Sequence, residues 1–299
     1  MNLGVRLFGH DFRNPVFMAA GSCGFVREVA RALDVEALGG FVTKSVTVEP
    51  RAGNAAPRVT EYGRGMLNSV GLANPGLAQV RKTHLPWIAH NLKRPQVFVS
   101  VAGRTAADYA RIAATLHDAD GFLGYELNLS CPNALTDGHA TIAHDPDAVA
   151  AVVAACRRAT DRPLAVKLGP DLGDPLRSAV AAEDAGADAL TLVNTLPMSS
   201  GKLRRAAFRL GSGAGGLSGP PLRPHALRAL AAIRGRLPVV AVGGIHRAAD
   251  AVRYGRAGAA LVQVCTGAFA DPRTPARVVN GLRRWRASPR ARSWTELSG

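Results

Sequence analysis

The stretch Ala185-Gly186-Ala187-Asp188-Ala189-Leu190-Thr191-Leu192-Val193 decides the fold. Its first half reads as the closing end of a helix, because glycine accepts the left-handed conformation in which helices terminate. Its second half is short and almost wholly apolar, with no polar alternation, as expected of a parallel strand buried on both faces. The phrase returns at Ala257-Gly258-Ala259-Ala260 ahead of Leu261–Val264, and in shortened form at Leu38-Gly39-Gly40 ahead of Phe41–Ser45. A glycine-ended helix that turns directly into an apolar strand is one αβ repeat unit.

Working outward, five more runs read as strands: Val16–Ala20, Val97–Val101, Tyr125–Leu129, Leu164–Leu168 and Val239–Val242. Segments with helical spacing lie between them, at Ala106–Leu116, Pro146–Arg158, Pro175–Ala185, Pro224–Ile233, Ala248–Tyr254 and Arg277–Trp285. Asp145 stands where a side chain can cap the second of these. Eight strands alternating with helices over 299 residues predict an α/β chain folded as a single (β/α)8 TIM barrel, one domain from 1 to 299. A doubly wound open sheet is the alternative arrangement. Thr47–Pro75 and Leu196–Pro221 are longer than simple connections. Both follow strand C-terminal ends, where barrels build active sites, so they are read as long active-site loops.

A hydrophobic fraction of 47% is enough for a large core and excludes wholesale disorder. There are 37 basic and 22 acidic residues, for a net charge of +15. Such a charge invites a nucleic-acid reading. However, the arginines are dispersed, no five like charges are adjacent, and only Lys44, Lys82, Lys93, Lys167 and Lys202 are lysines. Nucleic-acid binding is therefore not expected. The cysteines Cys23, Cys131, Cys156 and Cys265 form no C-x-x-C, and the histidines show no ligand spacing, so no metal is expected in this chain. No signal-like or membrane-spanning stretch appears, which makes a cytoplasmic, non-membrane protein the expectation. There is no G-x-G-x-x-G after a first strand and no Walker A sequence.

Polar residues gather at the predicted strand exits. Lys44 and Lys167 sit in otherwise apolar strands, where a cation must meet an anion. That anion is either a ligand or a structural partner such as Glu126. Asn68, Asn128, Asn133 and Asn194 supply amide donors and acceptors suited to a planar, amide-rich ligand, although each also suits a turn. Cys131 follows Ser130 at a strand exit between two asparagines, a setting for acid–base or nucleophilic work. Gly243-Gly244 and Cys265-Thr266-Gly267 close the last two units, the place where barrels bind phosphate.

In order, these residues resemble the dihydroorotate dehydrogenase family over nearly the whole chain. The resemblance rests on Asn14-Pro15, Thr43-Lys44-Ser45, Glu49–Asn54, the loop Gly65-Met66-Leu67-Asn68-Ser69-Val70-Gly71-Leu72-Ala73-Asn74-Pro75-Gly76, Glu126–Asn133, Val166-Lys167-Leu168, Val193-Asn194-Thr195, Gly215–Pro220 and Gly243-Gly244. A cysteine at 131 resembles class I, where the quinone-linked class has serine. The Gly-Met-Leu-Asn loop is most like the catalytic subunit of the NAD-linked subclass IB. The resemblance implies an FMN enzyme that oxidises dihydroorotate to orotate in pyrimidine synthesis. It further implies a homodimer, within a heterotetramer if joined by a subunit carrying FAD and a [2Fe–2S] cluster.

By family position, Cys131 would be the base, with Lys44 and Lys167 as the other catalytic residues. Lys44, Asn68, Ser69, Val70, Gly71, Leu72, Asn128, Asn133, Asn194 and Thr195 would bind substrate. Ser22, Lys44, Ser45, Ser100, Asn128, Lys167, Val193, Gly219, Gly243, Gly244, Cys265 and Thr266 would bind FMN. Three places depart from the pattern: Ser100 stands where the subclass has Asn, Cys265 replaces a glycine, and Leu196–Gly213 is dissimilar. A related flavin enzyme acting on dihydrouracil is the competing reading, and it carries His at the position of Asn133.

Overall fold

The computed structural model describes residues 3–130, 141–199, 209–287 and 293–298. Eight parallel strands close a barrel: β1 (Val16–Met18), β2 (Gly40–Val42), β3 (Gln96–Val101), β4 (Gly124–Asn128), β5 (Leu164–Leu168), β6 (Ala189–Leu192), β7 (Val239–Val242) and β8 (Ala259–Val264). They follow chain order around the ring, and β8 returns to β1 through Val262 opposite Val16. That closing pair rules out the open-sheet alternative. Nearly every strand residue is buried, because helices cover the outside while side chains fill the inside.

Helices Ala106–Leu116, Pro146–Ala159, Pro175–Asp184, Arg223–Ala232, Ala248–Arg256 and Thr274–Arg286 lie close to the predicted segments. The Asp145 carboxylate accepts from the N–H of Asp147, as an N-cap does. Asp145→Ala is expected to lower unfolding stability by about 1 kcal/mol in a urea melt. An unchanged midpoint would mean that the cap is not formed.

Gly186 and Gly258 take φ of +99° and +102°, as helix-ending glycines should. Leu38-Gly39-Gly40 has another cause. Only a 3₁₀ turn, Val35–Ala37, precedes it, and a Cβ at Gly39 would collide with the Asn14 carbonyl. This glycine marks a close backbone approach, not a helix end. The strand at Phe41–Ser45 also stops earlier than predicted, so Lys44 lies two residues beyond β2, with its N–H bonded to the Gly24 carbonyl.

The two long loops are the largest departure from simple connections. Val59–Tyr62, Gly65–Asn68, Ala214–Ser218 and Leu196–Ser199 pair into one antiparallel sheet. Leu67, Leu210 and Leu217 form a small core of its own. Among the described residues no helix is long and apolar enough to cross a membrane.

Candidate active site

A cavity of about 250 Å³ opens at the C-terminal ends of the barrel strands, beside the added sheet. Its floor carries Ser45, Asn128, Lys167 and Asn194. The side chain of Asn194 donates to Asn128 Oδ1 at 3.1 Å and to Ser130 Oγ at 3.0 Å. Asn128 in turn donates to Ser45 Oγ at 3.3 Å. These residues exit β2, β4 and β6, so the hydrogen bonds lock three strand ends into one rigid surface. Lys44 lines the same cavity and is only partly buried.

Lys167 settles the question its burial raised. Its Nζ lies 3.2 Å from Glu126 Oε1, and both side chains are buried. The anion it meets inside the protein is therefore the structural partner, although Lys167 also lines the cavity.

The added sheet supplies the other wall through Val59, Met66, Asn68 and Gly216, with Val70, Gly71 and Leu72 beyond it. Asn68 donates to the Gly216 carbonyl at 3.3 Å, which ties the two long loops together over the opening. Leu72 adopts φ of 57°, left-handed for a non-glycine residue, at a cost on the order of 1–3 kcal/mol. Asn74 holds that bend by donating to the Leu72 carbonyl and accepting from the Gly76 N–H.

At the far end, Gly219, Gly243, Gly244, Cys265 and Thr266 come together. Gly219, Gly243 and Gly244 all have positive φ, and a Cβ at Gly244 would lie 2.8 Å from the Gly219 carbonyl. The turns are packed too closely for side chains. The Gly243 carbonyl accepts from Tyr254 Oη at 2.7 Å and the Gly244 carbonyl from Arg223 at 2.6 Å. With these oxygens engaged, peptide N–H groups are what the glycines offer the cavity. Thr266 bonds Ser218 Oγ at 2.8 Å and so joins this end to the added sheet. Such a cradle fits a phosphate.

Thr195 and Val193 also line the cavity. Ser22, Ser69 and Ser100 do not. Ser22 turns back to the Ala19 carbonyl, Ser69 is held by Asn54 and Ser212, and Ser100 sits behind Ser45 with their hydroxyls 2.8 Å apart. Ser100 thus supports a lining residue from behind. Cys131 and Asn133 lie outside the described residues. The lining residues that sequence reasoning missed are Ala19, Ala20, Gly21, Val59, Met66, Gly216, Ser218, Leu222, Val242 and Phe269. Met66, Gly216 and Ser218 stood within quoted motifs. Val59 and Phe269 carry no sequence signal and are exposed apolar residues at the opening. No cluster of His, Cys, Asp or Glu among the described residues could hold a metal.

Two thiols, Cys23 and Cys156, are buried, and a third, Cys265, lines the cavity. Burial pushes Cys23 well above the usual thiol range and Cys156 up to about 12. Burial also raises Cys265, against the pull of Lys167 and Lys44. A disulfide reagent at pH 8 is expected to leave Cys23 and Cys156 unreacted, so at most two of the four thiols titrate rapidly in the native protein, and four once it is unfolded. Three fast native thiols would contradict this burial.

Fold and site together define a parallel-barrel protein with a glycine cradle at one end of its mouth and an amide-and-lysine floor at the other. The family profile for dihydroorotate dehydrogenase matches residues 2–285, and the chain belongs to that family. It is 41% identical over 283 residues to a Pelobacter propionicus protein named dihydroorotate dehydrogenase B (NAD(+)), catalytic subunit, covering 94% of this chain and 92% of that one. A Desulforudis audaxviator protein of the same name is 41% identical over 297 residues, covering 99% and 96%. A Solibacter usitatus protein whose name gives the A (fumarate) type is 41% identical over 299 residues, covering 99% and 97%. The crystal structure of DHODH from Eimeria tenella in complex with ferulenol shares the fold. Its TM-score is 0.83 at 22% identity, covering 99% of this chain and 88% of that one.

Proposed function

We propose that this protein oxidises (S)-dihydroorotate to orotate in pyrimidine biosynthesis, using FMN, as one functional unit spanning the whole chain. The observation that carries this reading is one continuous cavity with the glycine cradle at one end and the Lys44–Asn68–Asn128–Asn194 surface at the other. That donor set suits a phosphorylated, ring-bearing cofactor and an amide-rich anionic substrate together.

Gly219, Gly243, Gly244, Cys265 and Thr266 would hold the FMN phosphate, while Ser45, Lys44 and Lys167 would face its ring. When bound, the flavin supplies a two-electron acceptor for the hydride that leaves substrate C6. Cys131 takes the C5 proton, so the two transfers together leave orotate. Asn68, Asn128, Asn133 and Asn194 orient the pyrimidine amides, and Lys44 attracts the substrate carboxylate. The rigid floor matters because proton and hydride must leave from adjacent carbons of one fixed ring.

The relatives named B (NAD(+)), catalytic subunit, support a B-type catalytic subunit that passes electrons to NAD through a partner subunit. That the partner carries FAD and a [2Fe–2S] cluster is what the family resemblance implies. A homodimer at the centre of that assembly and a cytoplasmic location complete the reading. Dihydroorotate is expected to bleach the flavin band near ~450 nm anaerobically, and dihydrouracil is not. Reoxidation is then compared with NAD, fumarate and quinone. Rapid reoxidation of the isolated chain by fumarate would assign the A type instead. Bleaching by dihydrouracil alone would overturn the substrate.

A further inference from the structure

Inside the barrel, one layer beneath the cavity floor, lies a carboxylate that the proposed chemistry does not use. Glu126 on β4 is 1% exposed. Its Oε1 receives the Lys167 ammonium from β5 at 3.2 Å. Its Oε2 receives Thr191 Oγ1 from β6 at 3.1 Å and Gln263 Nε2 from β8 at 2.9 Å. Of these four residues only Lys167 also lines the cavity. The layer is polar where barrel interiors are filled mainly by branched apolar side chains. Stability does not account for it, since replacing a buried ion pair with apolar residues is often neutral or stabilising. Nor is the network fully satisfied, because Gln263 Oε1 is buried without a partner.

We propose that Glu126 is a positioning residue for the redox step: it fixes the Lys167 ammonium at the cavity floor and offsets its charge, holding the bound flavin's reduction potential below the value a bare ammonium would impose. This rests on the flavin reading above. Three strands hold the carboxylate in place, so it is a fixed counter-charge. Uptake of a hydride adds one negative charge to a neutral ring. A bare cation in a poorly solvated floor favours that charged state strongly, whereas a neutral pair favours it much less. Glu126 takes part in neither transfer: the hydride leaves C6 and the proton leaves C5 without it. It acts by setting how much positive charge the ring meets.

The test uses the FMN-loaded protein. The midpoint potential is measured against a reference dye, and sulfite is titrated by loss of flavin absorbance, since sulfite is an anion whose addition to the oxidised ring is favoured by nearby positive charge. Glu126→Gln is expected to raise the potential and tighten sulfite binding by about tenfold or more. Glu126→Gln combined with Lys167→Gln removes both charges and returns sulfite affinity to within about threefold of the parent protein. Thr191→Val removes a hydrogen bond but no charge and moves neither readout.

The inference is overturned if Glu126→Gln retains flavin with unchanged or weaker sulfite binding. It is also overturned if Thr191→Val shifts the readouts as far as Glu126→Gln, which would make the role one of packing. Should Glu126→Gln fold poorly, Lys167→Gln reads the pair from the other side: sulfite affinity must fall by about tenfold, and no change refutes the proposal. A parent protein that binds no FMN at all is a separate outcome that refutes the flavin reading and this inference with it.

Discussion

Replacing Cys131 with alanine is expected to slow flavin reduction by dihydroorotate by about 10²–10⁴-fold, the usual contribution of a positioned general base. Orotate affinity and the flavin spectrum should change little, because the floor that orients the ring is built by Asn128, Asn194, Ser45 and Ser130. A free thiol has a pKa near ~8.5, so the parent rate should climb with pH as the thiolate forms and then level off. Cys131→Ser keeps a proton acceptor of much higher pKa. Its rate should therefore be low at neutral pH and still rising where the parent has levelled. Anaerobic stopped-flow at the flavin band measures both effects. An alanine variant within tenfold of the parent, or a serine variant with the parent's pH profile, would remove Cys131 from the base role.

The second large effect is at Gly244. This residue sits at φ of +68°, and a Cβ there would lie 2.8 Å from the Gly219 carbonyl and 2.9 Å from Pro220 Cα. Both neighbours are backbone, so neither can yield without moving a turn of the cradle. Gly244→Ala is expected to push the β6- and β7-side turns apart and to cost one or two charge-assisted N–H···phosphate bonds. Each is worth about 1.5–3 kcal/mol, so FMN binding should weaken by about 10- to 10⁴-fold. Riboflavin, which lacks the phosphate, should bind parent and variant alike. Gly63→Ala is the control. That residue has a similar φ of +57° with nothing within 4 Å of a Cβ, so it carries the strain without the collision. If Gly63→Ala weakens FMN as much as Gly244→Ala, backbone strain and not cradle closure is responsible. If Gly244→Ala weakens riboflavin equally, the phosphate does not lie there.

Much of the site was legible because barrel chemistry is local to strand ends. Asn128, Lys167 and Asn194 could be placed from the apolar runs they follow, and Gly243-Gly244 from its position in the seventh unit. The serines were harder. Ser22, Ser69 and Ser100 lie beside the cavity in sequence, but a hydroxyl's direction depends on the acceptor it finds. For Ser100 that partner is Ser45, 55 residues away in the chain. Val59 and Phe269 were missed because an apolar residue at an opening looks, in sequence, like any other apolar residue.

The barrel itself was determined by the sequence. Continuous apolar strands, glycine-ended helices and an N-cap at Asp145 are short-range signals, and each strand has few other ways to bury both faces. Tertiary structure alone decided three things. It paired Thr47–Pro75 with Leu196–Pro221 as one antiparallel sheet over the mouth, because strand partners more than 140 residues apart have no local signature. It showed that Gly39 serves a close approach to the Asn14 carbonyl, because only the fold says which backbones meet. And it brought Lys167 onto Glu126, one of the two kinds of anion that the sequence left open. A lysine in an apolar strand demands an anion by elementary electrostatics, but the barrel's closure brings Glu126, Thr191 and Gln263 to that point.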